Sequence, residues 1–487
     1  MKISFLFFVA AFVLGATPSL GATPANHPLF APGDHEEWMG TYFKNKKLGF
    51  TSAKMKVSPD AIVVNTRVLF RLKSGGGSQA TVFSQETHLT PDLRLKKFYL
   101  LQEIMGHRQE VEGRVEKGKL VYRVIGLGYD KTRSIPFDSG TALSSTFLLN
   151  IIRDGLVVGK KGKFPIFMEP FQMMVDLEYR ILRKEKFDDH GKSVETYVIS
   201  QRVAGMDSTL WVARDGTVMR ELTSQGFESR KEPEKMARNM GEEIMSVSSL
   251  ITLSLVKPHG TLSSRPGQQR RLKMKLSNIR APGLIPQDHR QKVLKSEKSS
   301  DGTWSSILLI DTEPEPAGPP VRRPVGSFPQ PELLQETPEV QSNHPQVQAL
   351  AKDLVGDTAD AWKASLRINE WVYKHLEKEL VDSVSALAAL RERRGECQSH
   401  TYLFTAISRA AGIPTKIVNG LVYSPQFKGF LYHAWPEVYV GEWRALDPTF
   451  GQNNVDATHI KLSEGQQENL FKLMEFVGKV QIELIEN

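Results

Sequence analysis

Residues 394–401 read Arg-Gly-Glu-Cys-Gln-Ser-His-Thr and contain Cys397, the single cysteine of the chain. Downstream, apolar side chains recur at the i, i+3, i+4, i+7 spacing of a buried helix face, until Gly412-Ile413-Pro414 ends the pattern. The spacing predicts that Cys397 lies in the first turn of a helix that packs into a core. Because the N–H groups and the dipole at a helix N-terminus favour negative charge, this position favours a thiolate. A buried, unreactive cysteine is the alternative.

A predicted β-hairpin follows this helix and carries His433 in its first strand and Asp447 in its second. A two-residue loop would place Asp447 opposite Pro436, on the face away from His433. A three-residue loop over 440–442, or a bulge, would place Asp447 opposite Trp435 instead. Asp447 would then be a diagonal neighbour of His433 on the same face, within about 7–8 Å between backbones. We favour this second geometry.

Thiol catalysis needs a nucleophile, a base and a group that orients the base. A cysteine attacks as the thiolate, and an imidazolium beside it lowers the pKa of the thiol and later protonates the leaving amine. A carboxylate holds the imidazole in the required tautomer. Cys397, His433 and Asp447 supply these three residue types in that order.

Two alternatives use neighbouring residues. His400 follows Cys397 by three positions, so it lies close on the helix and could replace His433 as the base. Cys397, His400 and His433 are also residue types that bind zinc, although their spacing follows no common zinc arrangement.

The backbone N–H of Cys397 is the expected first donor of an oxyanion hole, with Gln398 as the second candidate. We expect no metal and no cofactor.

Four motifs together resemble the transglutaminase-like core of the papain-like thiol superfamily. They are Gly395-Glu396-Cys397, Gly412-Ile413-Pro414, the stretch from Tyr432 to Val438, and Leu446-Asp447-Pro448-Thr449. The resemblance covers residues 359–462 and implies an α+β core in which the nucleophile helix packs on an antiparallel sheet. It also implies a catalytic triad of Cys397, His433 and Asp447. The chain has Gly-Glu-Cys where Gly-Asp-Cys is the commoner form, which leaves the thiol intact.

Two further stretches in the same region resemble positions that are common in bacterial members of this superfamily. They are Trp435 and the run Asp456-Ala457-Thr458-His459. We interpret His459 as a structural hydrogen-bonding residue.

The N-terminus has the pattern of a secretory signal peptide over residues 1–22. Met1-Lys2 is a short positive segment, residues 3–14 are apolar, and small residues follow up to Ala22. The apolar run is shorter than the roughly 20 residues that a membrane-spanning helix needs. We therefore expect an exported protein, periplasmic or secreted, without a transmembrane segment in the mature chain.

The rest of the chain is predicted to be rich in β-strands, and the fold class to be α+β. Strand-forming residues dominate from about 34 to 230, with turns at Lys44-Asn45-Lys46-Lys47 and Arg214-Asp215-Gly216, which indicates a large curved antiparallel sheet. Nine prolines between Asp311 and Pro345 indicate an extended linker that crosses between domains. The predicted divisions are a signal peptide (1–22), a β-rich domain (23–245), a small β-rich domain (246–311), the linker (312–345) and a transglutaminase-like domain (346–487).

Composition excludes several classes of protein. With 487 residues, 40% hydrophobic and 24% charged, the chain is long enough for two or three folded domains. The single cysteine excludes an intrachain disulfide. The formal net charge of +8 is spread along the chain, and the densest basic stretch, 265–271, lacks aromatic residues, so we do not expect nucleic-acid binding.

Together these observations predict an exported cysteine enzyme that acts on protein or peptide amides through a thioester. It would be a protease or amidase if water accepts the acyl group, or a transglutaminase if an amine does. The expected partner is a protein or peptide substrate associated with the cell envelope. The alternative is a catalytically inactive binding or scaffold protein of the envelope with the same fold, since about 300 residues carry no visible chemistry.

Overall fold

The structure is a computed structural model, and it describes residues 27–74, 77–104, 106–241, 244–246, 255–262, 265–316, 318–326, 328–379, 385–465 and 470–485. The predicted signal peptide, residues 1–22, lies outside these ranges. The chain forms two compact units. The N-terminal unit contains the described residues up to Ser246 apart from Leu127–Tyr129, and the C-terminal unit contains the remainder.

The N-terminal unit is built on one large sheet, as the strand-rich sequence predicts. In the described residues, this sheet has fifteen strands. Nearly all neighbours are antiparallel and consecutive in sequence, whereas the first strand of the unit pairs with its last. The predicted first hairpin is present, and Lys44 and Asn45 turn it with φ angles of 46° and 63°.

Long strands and short helices make up the described part of this unit. The strands are β1 (Gly33–Phe43), β2 (Lys46–Val57), β3 (Ile62–Ser74), β4 (Gly77–Leu89), β5 (Leu95–Ile104), β6 (His107–Glu116), β7 (Lys119–Gly126), β8 (Tyr129–Pro136), β9 (Ala142–Leu143), β10 (Lys161–Met168), β11 (Met173–Asp189), β12 (Lys192–Val203), β13 (Met206–Ala213), β14 (Val218–Thr223) and β15 (Phe227–Lys231). The helices are α1 (Phe147–Arg153) and α2 (Glu234–Arg238). Across the sheet the strands follow the order β8-β7-β6-β5-β4-β3-β2-β1-β15-β14-β13-β12-β11-β10-β9.

The C-terminal unit combines helices with two four-stranded sheets and one short parallel pair of strands. The helices are α3 (Pro345–Val355), α4 (Ala361–His375), α5 (Ala386–Glu392), α6 (Cys397–Ala410) and α7 (Leu470–Met474). The strands are β16 (Arg271–Ile279), β17 (Gln291–Lys298), β18 (Trp304–Asp311), β19 (Glu377–Lys378), β20 (Arg394–Gly395), β21 (Thr415–Ser424), β22 (Gly429–Tyr439), β23 (Trp443–Ala445), β24 (Ile460–Gly465) and β25 (Gln481–Ile485). The two larger sheets have the orders β17-β18-β16-β25 and β23-β22-β21-β24.

A helical core supports α6 from several sides, which confirms the α+β fold class. The apolar face predicted after Cys397 is buried in a cluster with residues of α3, α4 and α5. Leu403, Phe404 and Ile407 are fully buried there. Burial of this kind stabilises by about 25 cal/mol for each Å² of apolar surface removed from water. The helix that begins at Cys397 is therefore held firmly in the unit.

Residues 246–311 are predicted as a separate small domain, and in the structure the described residues between 255 and 311 lie in the same compact unit as the described part of 346–487, whereas Ser246 lies in the N-terminal unit. The reason is long-range strand pairing, because β25 joins the edge of β16 with Met274 opposite Leu484. The predicted linker likewise packs on this unit. Its backbone bonds to the helical region, from Arg323 N to Ala359 O at 2.7 Å and from Val325 N to Gly412 O at 2.9 Å.

In the described part of the chain, no helix is both long enough and apolar enough to cross a membrane.

The β22–β23 hairpin has the three-residue loop that the sequence analysis favours. Tyr439 pairs with Trp443, and the pairing continues to Glu437 opposite Ala445. Gly441 in the loop has a φ of +99°, which a residue with a side chain rarely adopts. Continued by two residues, this register brings residue 447 level with residue 435. The hairpin therefore directs Asp447 to the face that carries His433.

Gly420 allows the sheet to close tightly behind this hairpin. It pairs with His433 on one side and with Lys461 on the other, and a Cβ at this position would lie 1.9 Å from the carbonyl oxygen of Ile460. We therefore expect Gly420→Ala to lower the free energy of unfolding by about 1–3 kcal/mol, because the added methyl forces β21 and β24 apart. Chemical denaturation measures this loss.

The matched control is Gly283→Ala, where an added Cβ meets no atom within 4 Å. An equal loss of stability in both variants would contradict the close approach of the strands at Gly420.

Candidate active site

Cys397 is the first residue of α6, as predicted, and its side chain is buried. The preceding residue, Glu396, is the N-cap and does not cap the helix with its side chain. The N–H groups of the first turn lack intrahelical partners, so the positive end of the helix lies at the sulfur. Thr401, one turn further along, donates to the carbonyl of Ala434 at 3.0 Å. This bond connects α6 to the strand that carries His433.

His433 and Asp447 form a direct, buried hydrogen bond. Nε2 of His433 lies 2.8 Å from Oδ2 of Asp447, and the carboxylate is fully buried. The other carboxylate oxygen accepts from the backbone N–H groups of Thr449 at 2.7 Å and Phe450 at 3.2 Å. Because ring nitrogen Nε2 is occupied in this way, Nδ1 is the nitrogen left for the thiol.

Electrostatics couple the three side chains. Burial alone would disfavour charge on each of them, but the neighbouring Asp447 carboxylate raises the pKa of His433 to about 10. The imidazolium in turn holds the pKa of Asp447 well below its ordinary value. Burial raises the pKa of the Cys397 thiol, whereas its hydrogen bond to His433 and the charge of that residue lower it. The arrangement favours a thiolate beside an imidazolium.

Aromatic rings enclose the imidazole of His433. Phe450 stacks on it with ring centroids 4.9 Å apart and an angle of 12° between the planes, and Trp435 lies at 6.1 Å. Trp435 is buried, whereas Phe450 is 42% exposed. The ring of Phe450 therefore lies between His433 and solvent and restricts the motion of the imidazole.

The alternative residues considered from the sequence have other roles in the structure. Nδ1 of His400 lies 2.9 Å from the carbonyl oxygen of Glu396, so this imidazole bonds its own helix. Oε1 of Gln398 is buried and has no hydrogen-bond partner among the described residues. The role of Gln398 in an oxyanion hole stays a prediction.

Three side chains have the spacing of a metal site, but they are not the set Cys397, His400 and His433 that was considered from the sequence. Within the described residues, His433, Asp447 and His459 each place one potential ligand atom within 4.8 Å of the others. Both imidazoles bond the same oxygen of Asp447 directly, at 2.8 Å and 3.1 Å, and these hydrogen bonds account for the cluster.

Sequence reasoning missed the residues behind Asp447. It interpreted His459 as a structural hydrogen-bonding residue without identifying Asp447 as its partner. It also gave no role to Arg290, which donates to the backbone carbonyls of Asp456 and His459. For the role of His459, the signal available in the sequence was the run Asp456-Ala457-Thr458-His459. No local signal exists for Arg290, because it reaches the site through the pairing of distant segments.

The comparisons with known proteins agree with this description of the C-terminal unit. Residues 348–448 match the model of the transglutaminase-like superfamily. The chain therefore contains a region that matches the transglutaminase-like superfamily, and a β-rich region precedes it.

Individual relatives are distant. An uncharacterized protein of Mycobacterium leprae is 33% identical over 88 residues, which are 17% of this chain and 30% of that protein. Among solved structures, a candidate cysteine protease from Cytophaga hutchinsonii is 17% identical with a TM-score of 0.31, over 45% of this chain and 82% of its own. A β-barrel-like protein of unknown function from Brucella abortus is 12% identical with a TM-score of 0.34, over 41% of this chain and 94% of its own.

Proposed function

We propose that this chain is an exported cysteine enzyme that transfers the acyl group of a protein or peptide amide through Cys397, His433 and Asp447. The observation that carries the proposal is the buried hydrogen bond of 2.8 Å between His433 and Asp447, on an imidazole that acts to lower the pKa of the Cys397 thiol at a helix N-terminus. These are the groups that a thioester mechanism requires.

The proposed reaction begins with attack of the Cys397 thiolate on the carbonyl carbon of the amide. A carbon–sulfur bond forms, and the backbone N–H of Cys397 donates to the developing oxyanion. The carbon–nitrogen bond then breaks, and the leaving amine takes the proton of the His433 imidazolium. A thioester and a neutral imidazole remain, while Asp447 holds the ring in place.

The second half of the reaction restores the enzyme. Neutral His433 accepts a proton from water or from an amine as that molecule attacks the thioester carbonyl. The carbon–sulfur bond breaks, and the thiolate–imidazolium pair forms again. We favour water as the acceptor, because water competes well unless a hydrophobic tunnel excludes it. The enzyme would then be a protease or amidase of the cell envelope.

The test is the rate at which iodoacetamide alkylates Cys397 as a function of pH. An imidazolium-paired thiolate reacts well below pH about 8, whereas an ordinary thiol with a pKa of about 8.5 does not. Since the pKa of His433 is raised to about 10, the imidazolium persists through neutral pH and the low-pH reaction should extend into the alkaline range. Mass spectrometry of the labelled peptide assigns the reaction to Cys397.

The control compares two buried histidines of the same domain. His433→Gln should abolish the low-pH reaction, whereas His400→Gln should keep it, because His400 bonds a carbonyl of its own helix. Loss of the low-pH reaction in His400→Gln but not in His433→Gln would show that His400 is the base and His433 is not. A wild-type chain without any low-pH reaction would overturn the proposed function.

A further inference from the structure

The carboxylate of Asp447 has a fourth N–H donor that the proposed mechanism does not use. Besides the two backbone groups and His433, Nε2 of His459 lies 3.1 Å from Oδ2. Because the pKa of Asp447 is held low, the carboxylate is ionised and both imidazoles must donate to it. Two histidines thus share one carboxylate oxygen. In all four of these hydrogen bonds, the Asp447 carboxylate is the acceptor.

His459 is itself held from several directions. It is fully buried, and its ring packs edge-on against Trp435 at 5.2 Å. Its second nitrogen, Nδ1, lies 3.5 Å from Oδ1 of Asp456. That carboxylate oxygen also accepts from the backbone N–H of Thr458 at 2.7 Å and from its hydroxyl at 2.5 Å. The turn from Asp456 to His459 is therefore a fixed local structure.

Arg290 fastens this turn from the neighbouring sheet. One guanidinium nitrogen donates to the carbonyl of Asp456 at 2.6 Å and another to the carbonyl of His459 at 2.8 Å. The next residue, Gln291, bonds Lys461 twice, accepting from its N–H at 2.9 Å and donating to its carbonyl at 2.8 Å. Four bonds therefore connect the segment that carries His459 to the start of β17.

A buried arginine satisfies two carbonyls at once because its planar fork has a fixed geometry. Arg290 is almost completely buried, and burial lowers its pKa while acidic neighbours such as Glu313 and Asp288 raise it. Burying a guanidinium is costly unless it is well bonded. The arrangement is therefore a built support behind Asp447.

We infer that His459, supported by Arg290, is a positioning residue that fixes the Asp447 carboxylate so that it holds His433 against Cys397. The inference rests on the proposed function. Without the His459 donor, Asp447 keeps a buried oxygen with one unsatisfied lone pair and can turn within its site. A misplacement of about 1 Å in a catalytic group can lower a rate about 10²-fold.

The experiment compares His459→Gln with His459→Asn by iodoacetamide alkylation of Cys397 across pH, with thermal unfolding measured in parallel. The amide of glutamine reaches the position of Nε2 and can still donate to Asp447, whereas the shorter asparagine reaches only the position of Nδ1, toward Asp456. We expect His459→Gln to keep most of the low-pH alkylation rate. In His459→Asn this rate should fall about 10–100-fold, which is the usual size of the loss when a residue that orients a functional group is removed.

A second pair of variants tests the support itself. Arg290→Lys should lower the low-pH rate, because a single ammonium cannot hold both carbonyls. The matched control is Arg409→Lys, since Arg409 is also buried and donates to the carbonyls of Thr415 and Gln335, at 2.8 Å and 2.6 Å. The control should lower thermal stability and leave the pH profile unchanged.

The outcomes separate this inference from the proposed function. A wild-type low-pH reaction that His459→Asn and Arg290→Lys both leave unchanged overturns the inference and leaves the proposed function standing. Equal losses in His459→Gln and His459→Asn, in proportion to lost thermal stability, show a purely structural role and also overturn it. A wild-type chain without a low-pH reaction overturns both proposals together.

Discussion

Cys397→Ala is expected to abolish the burst of 4-nitrophenol that the intact chain releases from 4-nitrophenyl acetate. An activated ester needs little recognition, so it acylates a reactive thiolate even when the natural substrate is unknown. The wild type should release about one equivalent in the burst, because acylation is faster than hydrolysis of the thioester. Without the sulfur no covalent intermediate forms, and kcat/KM should fall by about 10⁴-fold or more.

Ser408→Ala provides the control, because Ser408 is buried on the same helix and its hydroxyl has no hydrogen-bond partner among the described residues. This variant also loses an atom from a buried side chain, yet it should keep the burst. Mass spectrometry of the acetylated chain locates the acyl group. A burst that persists in Cys397→Ala would assign the acylation to another residue and contradict the proposed nucleophile.

Asp447→Asn is expected to lower the rate of the same acylation by about 10²–10⁴-fold, because the imidazole loses its preferred tautomer. The four hydrogen bonds to Asp447 come from donors, and an asparagine can accept through only one of its two side-chain atoms. Its NH₂ group must then face the backbone donors or the imidazoles. If it faces His433, Nε2 becomes the acceptor and Nδ1 carries the proton toward Cys397.

The same substitution should change the pH profile of alkylation in a defined direction. The carboxylate of Asp447 raises the pKa of His433, so removing its charge lowers that pKa. The proton of the ion pair then returns more readily from His433 to the sulfur, so a smaller fraction of Cys397 is thiolate below pH about 8. The low-pH alkylation should weaken, and the reaction should shift toward the pH range of an ordinary thiol, whose pKa is about 8.5. Iodoacetamide rates measured across pH test this shift.

Glu169→Gln is the matched control for Asp447→Asn. Glu169 is also a fully buried carboxylate bonded by donors, among them the backbone N–H of Ser144 at 3.0 Å and the amide of Gln85 at 2.7 Å. It belongs to the N-terminal unit, so its substitution should affect stability without moving the pH profile. A low-pH alkylation that weakens equally in both variants would contradict the role of Asp447.

The local geometry of the site is predictable from the sequence, because short-range rules govern it. The apolar spacing after Cys397 defines a helix, and the loop from Val440 to Glu442 defines a register. Within a hairpin, a change of one residue moves every side chain to the other face. The choice of loop is therefore sufficient to place Asp447 relative to His433.

The support behind Asp447 could not be predicted, because it depends on pairings between distant segments. Arg290 precedes β17, and bonds from Arg290 and Gln291 to residues 456–461 join this segment to the site. The same sheet takes up the distant strand β25 at its other edge. Neither charge patterns nor hydrophobic periodicity within one segment records such a partner, so residues 246–311 were interpreted as a separate domain.

The pairing of β16 with β25 affects the order in which the protein can mature during its synthesis. Cys397, His433 and Asp447 all leave the ribosome before Gln481–Ile485, the strand that completes the sheet beside Arg290. Long-range pairings of this kind form late, since the loop between the partners must close first. The nascent chain thus contains the whole set of reactive groups for some time before the sheet behind them is finished.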